Sequence, residues 1–224
     1  MAIQIQGNAG TILEVDGTVF RAVRVTPRPV DYGTLGIYSY GGSTGILPAA
    51  LAANSEVFQF RWVDATRFAV VRRVRLSAAV TTTMFAAGVP VEINMVKATA
   101  WTGQGTAGTG IVPADTLKCR TSMGSTLVGS GDMRIATTAA LGAGTKTLET
   151  NSIRSIVAGG PITGSLNGTI IAPGTLFWEA EPGDGGHPLV LAANEGFVIR
   201  SVAVPATGTW RLSVMVDWAE VTAY

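Results

Sequence analysis

The 224-residue chain carries 16 Lys and Arg against 15 Asp and Glu, a net charge of +1, so no global field draws in nucleic acid or an anionic membrane. Charged residues are 14% of the chain, against roughly 25% in an average soluble domain, and hydrophobic residues reach 47%; a surface so poor in charge suits a subunit that packs against neighbours. A single cysteine, Cys119, excludes a disulfide framework and a cysteine-rich metal site, no run approaches the ~18 apolar residues of a membrane span, and MAIQIQGNAG lacks the basic start and apolar core of a secretory signal.

In chain order, residues 1–33 read as a strand and an extended arm. RVTPRPVDYG (24–33) has prolines at spacing two, which favour an extended, unpaired connector able to reach a neighbouring subunit. Arg28 and Asp31 within it are candidate partner contacts. Residues 34–224 read as one β domain, with no composition shift or linker dividing them. TLGIYSY (34–40) is a strand, and GGSTG (41–45) reads as the turn after it. ILPAALAAN (46–54) is the best helical candidate, since Pro48 suits a helix's first turn; SIRSIV (152–157) is a weaker one.

Dyad alternation then dominates. VFQFRWV (57–63) sets Phe58, Phe60 and Trp62 against Gln59 and Arg61. FAVVRRVRLSAAV (68–80) groups Phe68, Val70, Val74 and Leu76 opposite Arg73, Arg75 and Ser77, with Arg72 interrupting the apolar face. VEINMVKATAW (91–101) and FVIRSVAV (197–204) continue the pattern. RLSVMVDWAEV (211–221) aligns Leu212, Val214, Val216 and Trp218 against Arg211, Ser213 and Asp217. Such alternation marks half-buried antiparallel strands. AAGVP (86–90), TGQGTAGTG (102–110), GSGD (129–132), GAG (142–144), PGDGGHP (182–188) and PATGT (205–209) supply the turns. The expectation is an all-β, antiparallel, jelly-roll-like sandwich of about eight to ten strands. LAAN occurs at 51–54 and 191–194, each time leading into a strong strand; four residues do not make a repeat, so coincidence is favoured over a remnant of duplication or two equivalent loop-to-strand entries.

The chemical motifs mostly reduce to turns. GGSTG matches the G-x-S-x-G nucleophile elbow, and the one histidine, His187, lies downstream of Ser43 in α/β-hydrolase order. An elbow needs a parallel sheet and a following helix, which the pattern lacks, so a Ser43–His187 hydrolase ranks last among the functional readings. GQGTAG (103–108) matches a dinucleotide fingerprint, but Pro113 and no helical period follow it. Neither a cofactor nor a metal is expected. Glu179, Glu181 and Asp184 form the one acidic cluster, read as a surface turn. Arg61, Arg67, Arg72, Arg73 and Arg75 crowd fifteen positions, and Arg73 with Arg75 would form a basic ridge on one strand face, read first as a solvated face and otherwise as a contact for an acidic neighbouring protein or packaged nucleic acid. Trp62 and Trp218 fall among core residues. Trp101 and Trp178 border loops and are the candidates for an exposed glycan platform.

RAVRVTPRPVDYGTLG, FQFRWVDATRFAVVRRV, ANEGFVIR and ATGTWRLSVMVDWAEV resemble a group of largely uncharacterised virion proteins of tailed bacteriophages. The resemblance spans most of the chain and carries no active-site motif. It implies a non-enzymatic virion component assembled in the host cytoplasm, in the capsid decoration or cement, the collar, the tail or the fibre. Its partners would be copies of itself, with a trimer favoured as in fibre-like proteins, and other virion proteins such as major capsid or head-tail proteins. The alternative is a virion-surface module that recognises a host glycan or receptor.

Overall fold

The computed structural model describes residues 36–85, 90–113, 117–159, 168–180 and 188–222, all within one compact unit spanning Tyr32–Tyr224. The 24–33 arm with Arg28 and Asp31 lies outside them, as do His187, Glu181 and Asp184.

The described chain forms two antiparallel sheets packed face to face, with no α-helix among the described residues. Eight strands of five or more residues build the frame: β1 (Ile37–Ser43), β3 (Ser55–Trp62), β4 (Phe68–Val80), β5 (Val91–Gly103), β9 (Arg154–Ala158), β10 (Thr169–Glu179), β12 (Glu195–Ala203) and β13 (Thr209–Val221). One sheet runs β1-β13-β4-β10; in the other, β3-β12-β5 is followed by β9 on the far side of β5. Along the chain, successive frame strands alternate between the sheets except at β5 to β9. This is the double Greek key of a jelly roll. Five short strands bring the total to thirteen among the described residues: β2 (Leu47–Pro48), β6 (Thr109–Gly110), β7 (Met133–Ile135), β8 (Thr145–Leu148) and β11 (Leu189–Leu191). They exceed the expected eight to ten because two to four residues are too short to show a period.

The predicted apolar faces point into the sandwich. Phe58, Phe60 and Trp62 meet Leu212, Val214, Val216 and Trp218, all essentially inaccessible. An aromatic chain ties the sheets together. Tyr38 stacks on Trp218 (centroids 5.7 Å apart), Trp218 meets Phe60 edge-on (5.4 Å), Phe60 stacks on Phe197 (5.4 Å), and Phe58 joins Phe197 to Tyr40. Each such pair adds about 0.5–1.5 kcal/mol beyond the area it buries.

β4 departs from its predicted phase. Asp217 pairs with Arg73 but Trp218 pairs with Val71, so Arg72 is the extra residue of a β-bulge. The bulge moves the inward set from Ala69 and Val71 to Val74, Leu76, Ala78 and Val80. Phe68 and Val70 therefore do not share a face with Val74 and Leu76, and Arg72 interrupts nothing; it is exposed.

Neither helical candidate is helical. Residues 46–54 contain β2, whose Leu47 is buried opposite Trp210, and a turn; 152–157 feed β9, which pairs with β5. Sheet hydrogen bonds on offer at both places outweigh a weak local preference. The two LAAN segments do the same work. Asn54 and Asn194 both take the left-handed conformation (φ 63° and 62°), and Ser55 and Glu195 donate to the carbonyls of Ala52 and Ala192. They start β3 and β12, which are paired neighbours. The tetrapeptide is thus a loop-to-strand entry used twice, not the coincidence favoured from the sequence.

Candidate interaction face

The two outer faces of the sandwich are finished differently. On the β3-β12-β5 sheet, outward-pointing polar residues are roofed by the chain's own loops. Lys146 of β8 donates to Glu56 Oε2 at 2.9 Å and to the carbonyl of Ala143, with side-chain exposures of 2% for the lysine and 7% for the glutamate. Its ammonium also sits 4.5 Å from the centroid of the Trp101 ring. Gln59 Nε2 donates to Glu56 Oε2 (2.5 Å) and to the Gly142 carbonyl (3.0 Å). Beside this cluster Arg61 pairs with Asp132 at 3.3 Å, and Gln104 donates to the same carboxylate at 3.0 Å. Gly105 has no side chain because a Cβ there would overlap the Gln59 amide. Val96, Ala98, Trp101 and Val198 complete a small apolar cluster under this roof. Gln59 and Arg61 thus point outward as predicted, yet they meet protein rather than solvent.

Among the described residues, no such roof lies over the middle of the outer face of β1-β13-β4-β10. Register places its outward side chains in rows across the strands. Ser39, Asp217, Arg73 and Glu179 form one; Gly41, Met215, Arg75 and Leu176 the next; Ser43, Ser213 and Ser77 the third. In the first row the charges are matched within the face: Ser39 donates to Asp217 at 2.6 Å, and Arg73 Nε donates to Glu179 Oε1 at 2.7 Å. The second row is apolar around a cation, with Leu176 51% and Met215 42% exposed on either side of Arg75. Arg75 has no hydrogen-bond or ion-pair partner among the described residues. In the third row Ser43 and Ser213 share a hydrogen bond of 2.8 Å. Glycine and serine leave the sheet low here, and β10, which pairs irregularly between Ile171 and Thr175, lines the edge with Pro173 and Gly174. The result is a shallow depression of about 320 Å³, with a second of about 220 Å³ beside it sharing Ser43, Ser77 and Ser213.

A strap bounds the face along β1. Cys119 N donates to the Ile37 carbonyl (3.1 Å), and the Tyr38 hydroxyl donates to the carbonyl of Gly124 (3.0 Å). Burial, helped by the nearby Glu220 charge, pushes the Tyr38 phenol up to about 12. Glu220, itself 1% exposed, accepts from Thr126 Oγ1, from Leu127 N (3.1 Å) and from Trp218 Nε1 (3.3 Å). Burial raises its carboxyl above the usual value despite these donors. The strap covers an otherwise open strand edge.

The predicted site residues separate accordingly. Arg73 and Arg75 do share the outward face, but as one neutralised and one unpaired cation. Trp101 and Trp178 are not exposed: Trp101 is 1% accessible beneath Lys146, with Nε1 donating to the Gly103 carbonyl, and Trp178 is 8% accessible within the main core. A loop-bordering position in sequence does not reveal that the sandwich end and the Lys146 roof close over the ring. All five tryptophans are therefore buried. GGSTG is not a free turn. Its Gly41–Ser43 portion belongs to β1, and Thr44 N still donates to the Leu212 carbonyl at 2.8 Å. Gly45 is required because a Cβ there would meet the Thr137 carbonyl. Ser43 thus lies in an antiparallel strand with no helix after it, without the strained elbow that exposes a nucleophile. Sequence reading missed Met215 and Leu176; their signal was an apolar residue in the outward phase of a strand.

No cluster of three or more His, Cys, Asp or Glu side chains suited to a metal ion occurs among the described residues, and no described helix is long and apolar enough to cross a membrane. The fold defines the chain as a jelly-roll β-sandwich whose outer faces, among the described residues, are one roofed and one bare. Compared with known proteins, it matches no family model, no curated protein and no solved structure.

Proposed function

We propose that this chain is a non-enzymatic structural component of a tailed-phage virion, in the capsid decoration or cement, the collar or the tail, and that it works by protein–protein contact. The bare outer face of β1-β13-β4-β10 carries the reading. A monomer that roofs the polar outer face of one sheet with its own loops, yet leaves two large apolar side chains and a row of serines open on the other, has a surface suited to covering by a neighbour. The low overall charge and the resemblance of the sequence to virion proteins point the same way. Its partners are copies of itself, in trimers, and other virion proteins such as the major capsid or head-tail proteins. A cement role follows from linkage: a subunit that binds the assembled lattice better than free capsid protein stabilises the lattice.

Sedimentation of the purified protein, alone and mixed with phage particles, tests this. Self-association or co-sedimentation with heads or tails is expected. A monodisperse monomer that never joins particles would remove the proposal.

A further inference from the structure

We propose that the bare face receives an acidic, aliphatic-flanked segment of another polypeptide, with a partner carboxylate docking on Arg75 between Met215 and Leu176. This deepens the contact reading above and rests on it. Each acidic side chain of the central rows is already engaged, Asp217 by the Ser39 hydroxyl and Glu179 by the Arg73 guanidinium. Arg211, in the next row, donates Nε to the Thr44 carbonyl at 3.2 Å. Arg75 alone among the formal charges of the central rows has nothing to bind among the described residues.

A second copy meeting this face with the same face would bring another Arg75 and, among the described residues of the central rows, no free acid, so like would face like. A partner that supplies the carboxylate meets no such repulsion. Arginine is the cation suited to the task. Its planar fork takes a carboxylate through two parallel hydrogen bonds, and covering Met215 and Leu176 would exclude water and strengthen that pair. The composition matches the residues enriched in interface centres, namely arginine and methionine with little else charged. The serine row and Gly41 set the geometry, because small side chains let a partner backbone come close to the sheet while Ser43, Ser77 and Ser213 offer hydroxyls to it. The bulged rim of β10 at Pro173–Gly174 closes one side of the depression.

The test uses the full chain labelled with ¹³C at the methionine methyls, Met215→Leu assigning the Met215 signal. The ligands are synthetic extended peptides alternating leucine or valine with aspartate or glutamate, compared with matched asparagine/glutamine and lysine peptides. The Met215 methyl is expected to shift with the acidic peptides only, and the shift to weaken as salt is raised. Arg75→Gln should reduce affinity roughly tenfold, which is ~1.4 kcal/mol. Arg75→Glu should turn the preference towards the lysine peptides, with circular dichroism and melting unchanged because Arg75 has no partner to lose among the described residues. Equal binding of the uncharged peptides, or retained binding in Arg75→Gln, overturns the proposal. So does a Met215 shift that follows protein concentration without peptide, which would assign the face to a second copy. If acidic peptides fail while the protein still joins particles, only the recognition chemistry falls. If the protein neither self-associates nor joins particles, the contact reading itself falls.

Discussion

Replacing Lys146 by methionine should destabilise this protein more than any surface change of similar size. The substitution keeps the length of the apolar stem but deletes the ammonium, and with it the 2.9 Å contact to Glu56, the contact to Ala143 and the approach to the Trp101 ring. Glu56 is left with its side chain 7% exposed and only the Gln59 amide to hold it. Removing one partner of a buried pair costs about 3–5 kcal/mol, because a charge remains without compensation. The surviving Gln59 hydrogen bond places the expectation at the lower end, about 3 kcal/mol. For a chain of this length that corresponds to a fall in melting temperature of roughly 6–12 °C. Glu56→Leu combined with Lys146→Met should regain most of the loss, since two apolar side chains of matching volume leave no orphaned charge. Equilibrium denaturation followed by circular dichroism measures both. Hydrogen exchange should also show Thr145–Leu148 opening before the frame strands in the single variant. A Lys146→Met protein within about 0.5 kcal/mol of the parent, the usual range for a surface substitution, would refute the claim that this pair pins the roof. So would a double variant as unstable as the sum of the two singles.

Asn54→Ala and Asn194→Ala should each cost about 1 kcal/mol, and the glycine variants close to nothing, because alanine resists the left-handed backbone that both positions adopt; chemical denaturation of the four variants reads this, and equal behaviour of alanine and glycine would contradict it. Burial raises the Glu220 carboxyl above its unfolded value, so folding favours its protonated form and the stability it contributes at low pH is lost as pH rises through the raised value. Melting curves across that window should therefore show the parent losing ground to Glu220→Gln on going from acid towards neutral pH, and a difference independent of pH would sink the assignment. Trp101→Ala and Trp178→Ala should each lose about 3–5 kcal/mol as buried aromatics do; a variant of normal stability that instead lost binding to a glycan array would restore the exposed-platform reading.

Sequence pattern alone determined the fold class and most strand faces. Side chains in a strand alternate with a period of two, so Phe58, Phe60 and Trp62, or Leu212, Val214, Val216 and Trp218, could be assigned to a common interior without knowing what they pack against. It also marked Arg73 and Arg75 as neighbours on an outward face, but the doubled LAAN, which four residues alone mark as coincidence, meets the same local backbone requirement at both sites. What alternation cannot carry is anything fixed by a residue far away in the chain. The bulge at Arg72 exists because β4 must stay in register with β13, some 140 positions on, and it reverses the phase of half a strand. Trp101 is buried because Lys146 and Glu56 meet above it, and Trp178 because its strand closes the sandwich. Whether an outward residue meets water, a loop of its own chain or an unclaimed surface is likewise decided only when the sheets stack. That is why Gln59 and Arg75, equally polar and equally outward by pattern, end as a buried strut and an open cation.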